Sequence, residues 1–332
     1  MHHTIKDTAA NLLKSRGGTY RRLAHLHSGV TIGAWLVLFI ASYLVQYLSP
    51  EGGLSNMDTY ALIFTAQVVL ILLGLILTPF WETGLSYVAL DFVRDRRNLT
   101  GDLAEGFRCL KPLGGALVFQ GVQYALAYLI SNSVTVFLLT LLPLPQSFYS
   151  DATALLKDPS SPLEGRMLLV AAVYAAVFLI ALAFLASQIF YRYRMTRYLI
   201  LDDVNAKGVG ASLAGMKLMK RNKRKLLKLD LSFWWFYIPE FLGFILPVAV
   251  LLLSALQVQL SPRTQTLCWA IAGGCLLLRL VVHMIGKPKL AASYALFYER
   301  LLKQEEEPIV EDAPKKSPPP KPQKPTRPPW NY

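Results

Sequence analysis

The sequence predicts an all-α, polytopic membrane helix bundle of about six transmembrane helices, accompanied by amphipathic interfacial helices. Three observations carry that expectation. The 332 residues are 54% hydrophobic and only 17% charged, with a mean hydropathy of +0.38, a balance too apolar for a soluble globular chain. Apolar runs of about twenty residues recur, each long enough to cross a hydrocarbon core of about 30 Å. Finally, 30 of the 34 Lys and Arg fall in segments 1–29, 81–112, 191–231 and 286–332, alternate connections that share one side of a membrane.

From Thr4 to Ser15, the apolar residues Ile5, Ala9, Leu12 and Leu13 fall at helical spacing with Lys6, Asp7 and Lys14 opposite. This predicts a short interfacial helix, broken at Gly17 and Gly18. The first long apolar run starts near Val30 behind this basic segment, and no small-residue cleavage site follows, so it is expected to stay in the mature protein. It reaches about Leu48 and closes at Pro50, Gly52 and Gly53. The second span is expected from about Tyr60 to Phe80, ending at Pro79, with charged sequence returning after Trp81 and Glu82. The third, Leu113 to Leu142, stops at Pro143 and Pro145 and is interrupted by Gln120, Gln123, Ser131, Asn132 and Ser133. Amides inside a span either hydrogen-bond to neighbouring helices or line a cavity. A polar loop, 144–166, leads into the fourth span, Met167 to about Phe190.

The stretch Tyr191 to Phe241 holds eleven Lys and Arg. It leaves the fourth span through alternating aromatics and arginines, reads as an amphipathic surface helix in its middle, and re-enters apolar sequence through Phe233, Trp234, Trp235 and Tyr237. The fifth span, Trp235 to about Leu256, carries Pro239 and Pro247 as kink points, and the sixth runs from Leu267 to Gly286. The sorting of charge puts both termini in the cytoplasm and requires an even number of spans. Three regions follow: a cytoplasmic amphipathic segment 1–29, a membrane domain 30–303 that includes the basic connector 191–231, and a Pro/Lys-rich cytoplasmic tail 304–332 expected to be disordered. Pro319, Pro322, Pro325 and Pro328 recur every three residues in that tail, a spacing that suits either polyproline II docking or plain solubilisation.

The order RYLILDD (Arg197 to Asp203), ASLAGMKLMKRNK (Ala211 to Lys223), LLKLDLSFWW (Leu226 to Trp235) and later Phe297 with Tyr298 resembles the bacterial integral membrane proteins catalogued as domain of unknown function 975. The resemblance covers residues 1 to 303, with Arg197 to Trp235 as its specific motif. Where relatives tend to have a glycine, an aromatic and a tyrosine, this chain has Arg221, Leu227 and Lys289, so the region is more basic here. The resemblance implies a six-helix protein of the bacterial cytoplasmic membrane with no established activity.

Lys217, Lys220, Arg221, Lys223, Arg224, Lys225 and Lys228 cluster beside Val209, Leu213, Met216 and Leu218 or Met219, the expected apolar side of a helix. Such a helix sits at headgroup level and binds anionic lipid or a cytoplasmic partner; the alternative is ordinary topology signalling. Gly208, Ser212 and Gly215 would let it approach a neighbour closely. Within the spans, Glu240 and Arg279 lie at comparable depth and suit an ion pair, with His283 on the face of Arg279. That pair reads as structural glue, as snorkelling side chains, or as a site coupling protons or ions.

The three cysteines, Cys109, Cys268 and Cys275, show no metal-ligand or disulfide spacing, and neither a catalytic motif nor a nucleic-acid motif is present. Asp202 and Asp203 read as caps of the surface helix. The expected function is therefore binding without catalysis, with no metal and no cofactor. The alternative is a small-solute transporter using Gln120, Gln123, Asn132, Glu240 and Arg279.

Overall fold

The computed structural model describes residues 2–48, 57–97, 99–140, 165–203, 205–255 and 262–306. Eleven α-helices follow one another along these residues. They are α1 (His2–Arg16), α2 (Gly18–Leu48), α3 (Met57–Val93), α4 (Glu105–Arg108), α5 (Leu110–Thr140), α6 (Gly165–Tyr193), α7 (Thr196–Asp202), α8 (Gly208–Met219), α9 (Lys223–Leu231), α10 (Trp234–Ala255) and α11 (Pro262–Glu306), with a 3₁₀ turn at Thr100–Ala104 before α4. No strand occurs among the described residues, so the chain is an all-α polytopic bundle, as expected. Five stretches among the described residues are long and apolar enough to cross a membrane: Gly18–Ala41, Leu110–Leu138, Val173–Asp202, Trp234–Leu251 and Arg263–Gln304. The remaining expected span, 60–80, falls in α3 where many side chains lie outside the described residues. The Pro-rich repeat of the tail and the loop 144–164 also lie outside them.

The long helices present apolar side chains outward. Val118 on α5 is 70% exposed and Ile180 on α6 is 71% exposed, and neighbours such as Tyr128, Leu129, Leu179 and Phe184 share that outward exposure. Water does not tolerate so continuous an apolar surface, whereas hydrocarbon does. Inside the bundle, Ile32 and Phe39 of α2 pack on Leu251 of α10 and on Trp269 and Leu276 of α11.

Two helices run further than expected. The span expected to end at Pro79 continues as α3 to Val93, and the one expected to end at Gly286 continues as α11 through Pro288 to Glu306. Proline removes one backbone donor and crowds the preceding turn, yet neighbouring groups can re-satisfy the freed carbonyls. The carbonyl freed lies four residues before each proline. The proline carbonyls themselves take side-chain donors, Pro79 from Thr83 Oγ1 at 2.8 Å and Pro288 from the Tyr20 hydroxyl at 2.8 Å, which tie down the turn that follows. What holds the extensions helical is the core they build: Leu85, Val88, Ala89, Leu90 and Phe92 from α3, and Leu290, Ala292, Phe297, Tyr298 and Leu301 from α11, are buried against α1, α8 and α9. Burying each large side chain of this kind contributes about 1.5–3 kcal/mol. Stacked rings join the layer, Tyr20 on Phe92 at 4.4 Å and Tyr198 on Tyr298 at 5.2 Å. The α3 extension ends with Asp95 in the left-handed region (φ 62°), while the Arg96 amide donates back to the Asp91 carbonyl at 2.8 Å.

The connector differs from expectation in which face it buries. It forms two helices, α8 and α9, and α8 buries Gly208, Ala211, Ser212, Gly215, Leu218 and Met219, leaving Val209 and Leu213 exposed. Backbone proximity explains the choice. A methyl group at Gly208 would overlap the Pro112 carbonyl oxygen of α5, and one at Gly215 would lie 2.7 Å from Thr196 Oγ1. The small-residue stripe therefore lets α8 dock on α5 and α7, and the larger apolar residues are turned outward. Similarly, α1 buries the expected Ile5, Ala9 and Leu13, but against protein, with Lys6 Nζ donating to the Ser232 carbonyl at 2.8 Å.

The α3 extension meets the 3₁₀ turn through Gly84, where a methyl would overlap the Leu103 carbonyl oxygen. Gly84→Ala should lower thermal stability by about 1–3 kcal/mol through forced backbone displacement. Gly114→Ala, which meets open space, should leave the thermal midpoint unchanged or raise it, so equal losses in both variants would refute the close-approach argument.

Candidate functional site

Charged residues gather where α3, α7 and α11 leave the apolar part of the bundle. Lys287 of α11 donates to both carboxylate oxygens of Glu82 on α3, at 2.7 and 2.8 Å. Burial alone would raise the Glu82 carboxyl, but Lys287 and the neighbouring cations hold it far below the usual carboxylate range. Immediately after the end of α3, Arg94 grips Asp202 with two bonds of 2.5 and 3.0 Å and donates through Nε to Glu299 at 2.7 Å. The Tyr298 hydroxyl donates to Asp202 at 2.6 Å. Asp202 thus ties α7 to α3 and α11 and caps nothing. Asp203 accepts the Asn205 amide at 3.0 Å in a local turn, and α8 starts at Lys207 without a side-chain cap.

Next to the Glu82–Lys287 pair lies a cavity of about 280 Å³ between α3 on one side and α5 with the α6–α7 corner on the other. Thr78, Glu82, Gln120, Tyr124, Arg194 and Arg197 border it. Arg194 lies over the rings of Phe190 and Tyr294, 4.6 Å from each centroid, and Arg197 Nη1 donates to Ser86 Oγ at 3.4 Å. Neither arginine forms an ion pair among the described residues.

The seven expected cations divide by helix geometry. On α9, Leu226 and Leu229 turn inward, which sends Arg224 and Lys228 outward. Lys220, Arg221, Lys223 and Arg224 border an open cleft of about 620 Å³ with Gln188 and Tyr191. Lys217, Lys220 and Lys223 share a second, of about 330 Å³, with Arg192 and Met216. Lys225 and Lys228 border neither cleft. None of the seven forms an ion pair among the described residues; Lys223 Nζ donates to Gln188 Oε1 at 3.5 Å. Burial, together with the nearby Arg192 guanidinium, pushes the Lys223 ammonium below its ordinary value. Beside these cations, Leu227, Leu231 and Trp234 are exposed, an apolar edge at helical spacing.

The residues within the spans separate as well. Arg279 Nη2 donates to Glu240 Oε1 at 2.6 Å, the pair that their depths suggested. His283 turns instead to α2, with Nδ1 2.8 Å from Ser28 Oγ. Asn132 accepts the Tyr174 hydroxyl at 2.5 Å, a packing bond between α5 and α6, and Gln123 lies away from the cavity that Gln120 borders. Sequence reasoning gave Arg194, Arg197, Lys287 and His27 no role. For the three cations the signal was present in RYRMTR, where Arg192, Arg194 and Arg197 alternate with uncharged residues, and in KPK, where lysines flank a proline, but it was absorbed into the general basic charge of the connections. Buried His27 stacks on Trp81 at 5.2 Å and places Nε2 4.0 Å from Glu82. Among the described residues no three His, Cys, Asp or Glu side chains converge as a metal site.

A further cluster surrounds Asp230 at the end of α9, whose carboxylate accepts from the Tyr294 hydroxyl and from the Tyr237 hydroxyl at 3.3 Å. Burial raises its pKa, against the pull of those hydroxyls and of Arg194.

A model of the family described as protein of unknown function (DUF975) matches residues 20–305. No curated protein and no solved structure matches the chain.

Because the Asp230 carboxyl is raised in the folded state, its contribution to stability is complete below the ordinary aspartate value and is lost as pH rises through the raised one. Thermal midpoints measured from pH 4 to pH 8 should therefore show the native protein losing ground to Asp230→Asn as pH rises; a pH-independent gap contradicts this. Glu240→Gln leaves the buried Arg279 guanidinium without its carboxylate. Breaking a buried pair costs about 3–5 kcal/mol; since Glu240 is 26% exposed, the low end is expected in a detergent-unfolding titration, and no change at all excludes structural glue.

Proposed function

We propose, from the premise that the chain belongs to the DUF975 family of proteins of unknown function, that it is a polytopic protein of the bacterial cytoplasmic membrane that acts by binding, with its basic clefts receiving the headgroups of anionic lipid. Both termini, and with them α8 and α9, lie on the cytoplasmic side in this reading, the side that carries 30 of the 34 Lys and Arg. The observation that carries it is the pair of open clefts bordered by Lys217, Lys220, Arg221, Lys223 and Arg224 with no carboxylate among their lining residues. A surface arginine or lysine normally finds a partner or points freely into water. Here five converge with Arg192 beside them, so an anion lowers their mutual repulsion. The exposed Leu227, Leu231 and Trp234 next to the clefts supply the apolar contact that headgroup-level binding uses. A cytoplasmic protein with an acidic surface is the competing occupant of the same clefts.

The transport reading ranks second. Gln120 borders the inner cavity, which favours it; Gln123 and Asn132 do not, and Asn132 is engaged in packing.

Each cation near an anionic surface contributes about 1 kcal/mol, so replacing Lys220, Arg221, Lys223 and Arg224 together by Gln should weaken retention of phosphatidylglycerol by tenfold or more at about 0.1 M salt. Native mass spectrometry of the purified protein measures this. Unchanged co-purified lipid with unchanged thermal stability overturns the proposal.

A further inference from the structure

The inner cavity has a charge imbalance that the fold does not resolve by itself. Glu82 is the carboxylate among its lining residues and takes two bonds from Lys287 while also acting on Arg197. Asp230, which accepts from Tyr294, acts on Arg194, so three cations face two carboxylates, one of them engaged by lysine and the other by tyrosines. A smaller void of about 30 Å³ behind the cavity is bordered by Glu82, Arg194, Arg197, Lys287, Ser86 and Tyr294, so the same three cations meet across the two spaces. Arg194 and Arg197 sit three residues apart on one side of the α6–α7 corner, and both face the same 280 Å³ space. Two like charges bordering one half-open space repel each other, and an anion seated between them lowers that repulsion.

The chemistry of the lining selects the anion. A guanidinium offers a planar fork of donors that matches the tetrahedral oxygens of phosphate two at a time. Gln120 and Thr78 add uncharged polar groups at the same wall. The rest of the lining is apolar, with Leu113, Leu117 and Tyr124 from one face of α5 and Phe190 from α6. A free phosphate ion would leave that apolar wall in contact with nothing but water. A phosphate carrying a hydrophobic body fills both halves.

We infer that Arg194 and Arg197 form a site for the phosphate of a membrane phospholipid, with its glycerol and first acyl carbons against Leu113, Leu117, Tyr124 and Phe190. The site is separate from the outer clefts. It lies between α3 and α5, involves none of the seven connector cations, and is smaller than the cleft at Lys220 to Arg224. It does not depend on the outer clefts binding anything.

The test uses the full-length protein in a non-ionic detergent, titrated with dihexanoyl phosphatidylglycerol and, separately, with inorganic phosphate, and followed by thermal midpoint and calorimetry. Saturable stabilisation by the lipid is expected, with affinity reduced about tenfold or more in Arg197→Gln because a charge-assisted pair of bonds is lost. Gln120→Leu, which removes no charge, should also weaken binding, and it keeps the question open to measurement if Arg197→Gln fails to fold. The variant with Lys220, Arg221, Lys223 and Arg224 replaced by Gln should retain the inner binding, which separates this site from the outer one. Undiminished lipid affinity in both Arg197→Gln and Gln120→Leu overturns the assignment. Equal stabilisation by inorganic phosphate alone overturns the phospholipid as its occupant.

Discussion

The contact between Lys287 and Glu82 is the constraint on which the charged end of this bundle depends. It joins α3 to α11 next to the one proline inside each helix, Pro79 and Pro288, so it marks where the apolar part of the bundle gives way to the packed layer beyond. It also takes up the carboxylate that would otherwise neutralise the arginines at the α6–α7 corner. Had Glu82 paired with Arg194 or Arg197, the inner cavity would be an ordinary polar void. Because it pairs with lysine, neither guanidinium at the cavity has a carboxylate at ion-pair distance among the described residues.

The same division into an apolar bundle and a packed terminal layer explains how the connections are used. A helix that leaves the spans can lie on a surface or pack on its neighbours, and the outcome depends on which face allows the closest approach. For α8 the glycine and alanine face wins, because backbone contact with α5 and α7 is possible only there. For α9 the leucines at 226 and 229 win, and the cations are left outside as a consequence of that burial. The basic clefts are thus the outer side of a core-forming helix pair, whose buried face fixes where the cations leave the backbone.

Deeper in the bundle, polar groups are paired individually. Arg279 with Glu240, His283 with Ser28, and Asn132 with Tyr174 each link two helices. Bonds of this kind hold helices together where apolar surfaces gain little by meeting one another in hydrocarbon. Arg94, gripping Asp202 and Glu299, has the same role at the outer margin of the packed layer. It accounts for Asp202 of the RYLILDD motif better than helix capping does.

Fold class, the approximate places of the spans and the concentration of positive charge on alternate connections were determined by the sequence by itself, since hydropathy and charge act locally and can be summed along the chain. The close approach at Gly208 and Gly215 was also legible, because only small residues permit it. The continuation of each helix past its proline was not, since Pro79 and Pro288 are overridden by the burial of side chains in the turns that follow, from Leu85 to Phe92 and from Leu290 to Leu301. Nor was the pairing of Lys287 with Glu82, separated by 205 positions, and hence the two arginines left without a close ion pair among the described residues. Electrostatic partnership is a matter of distance in space. Only the packing of α3 against α11 decided which carboxylate each cation would find.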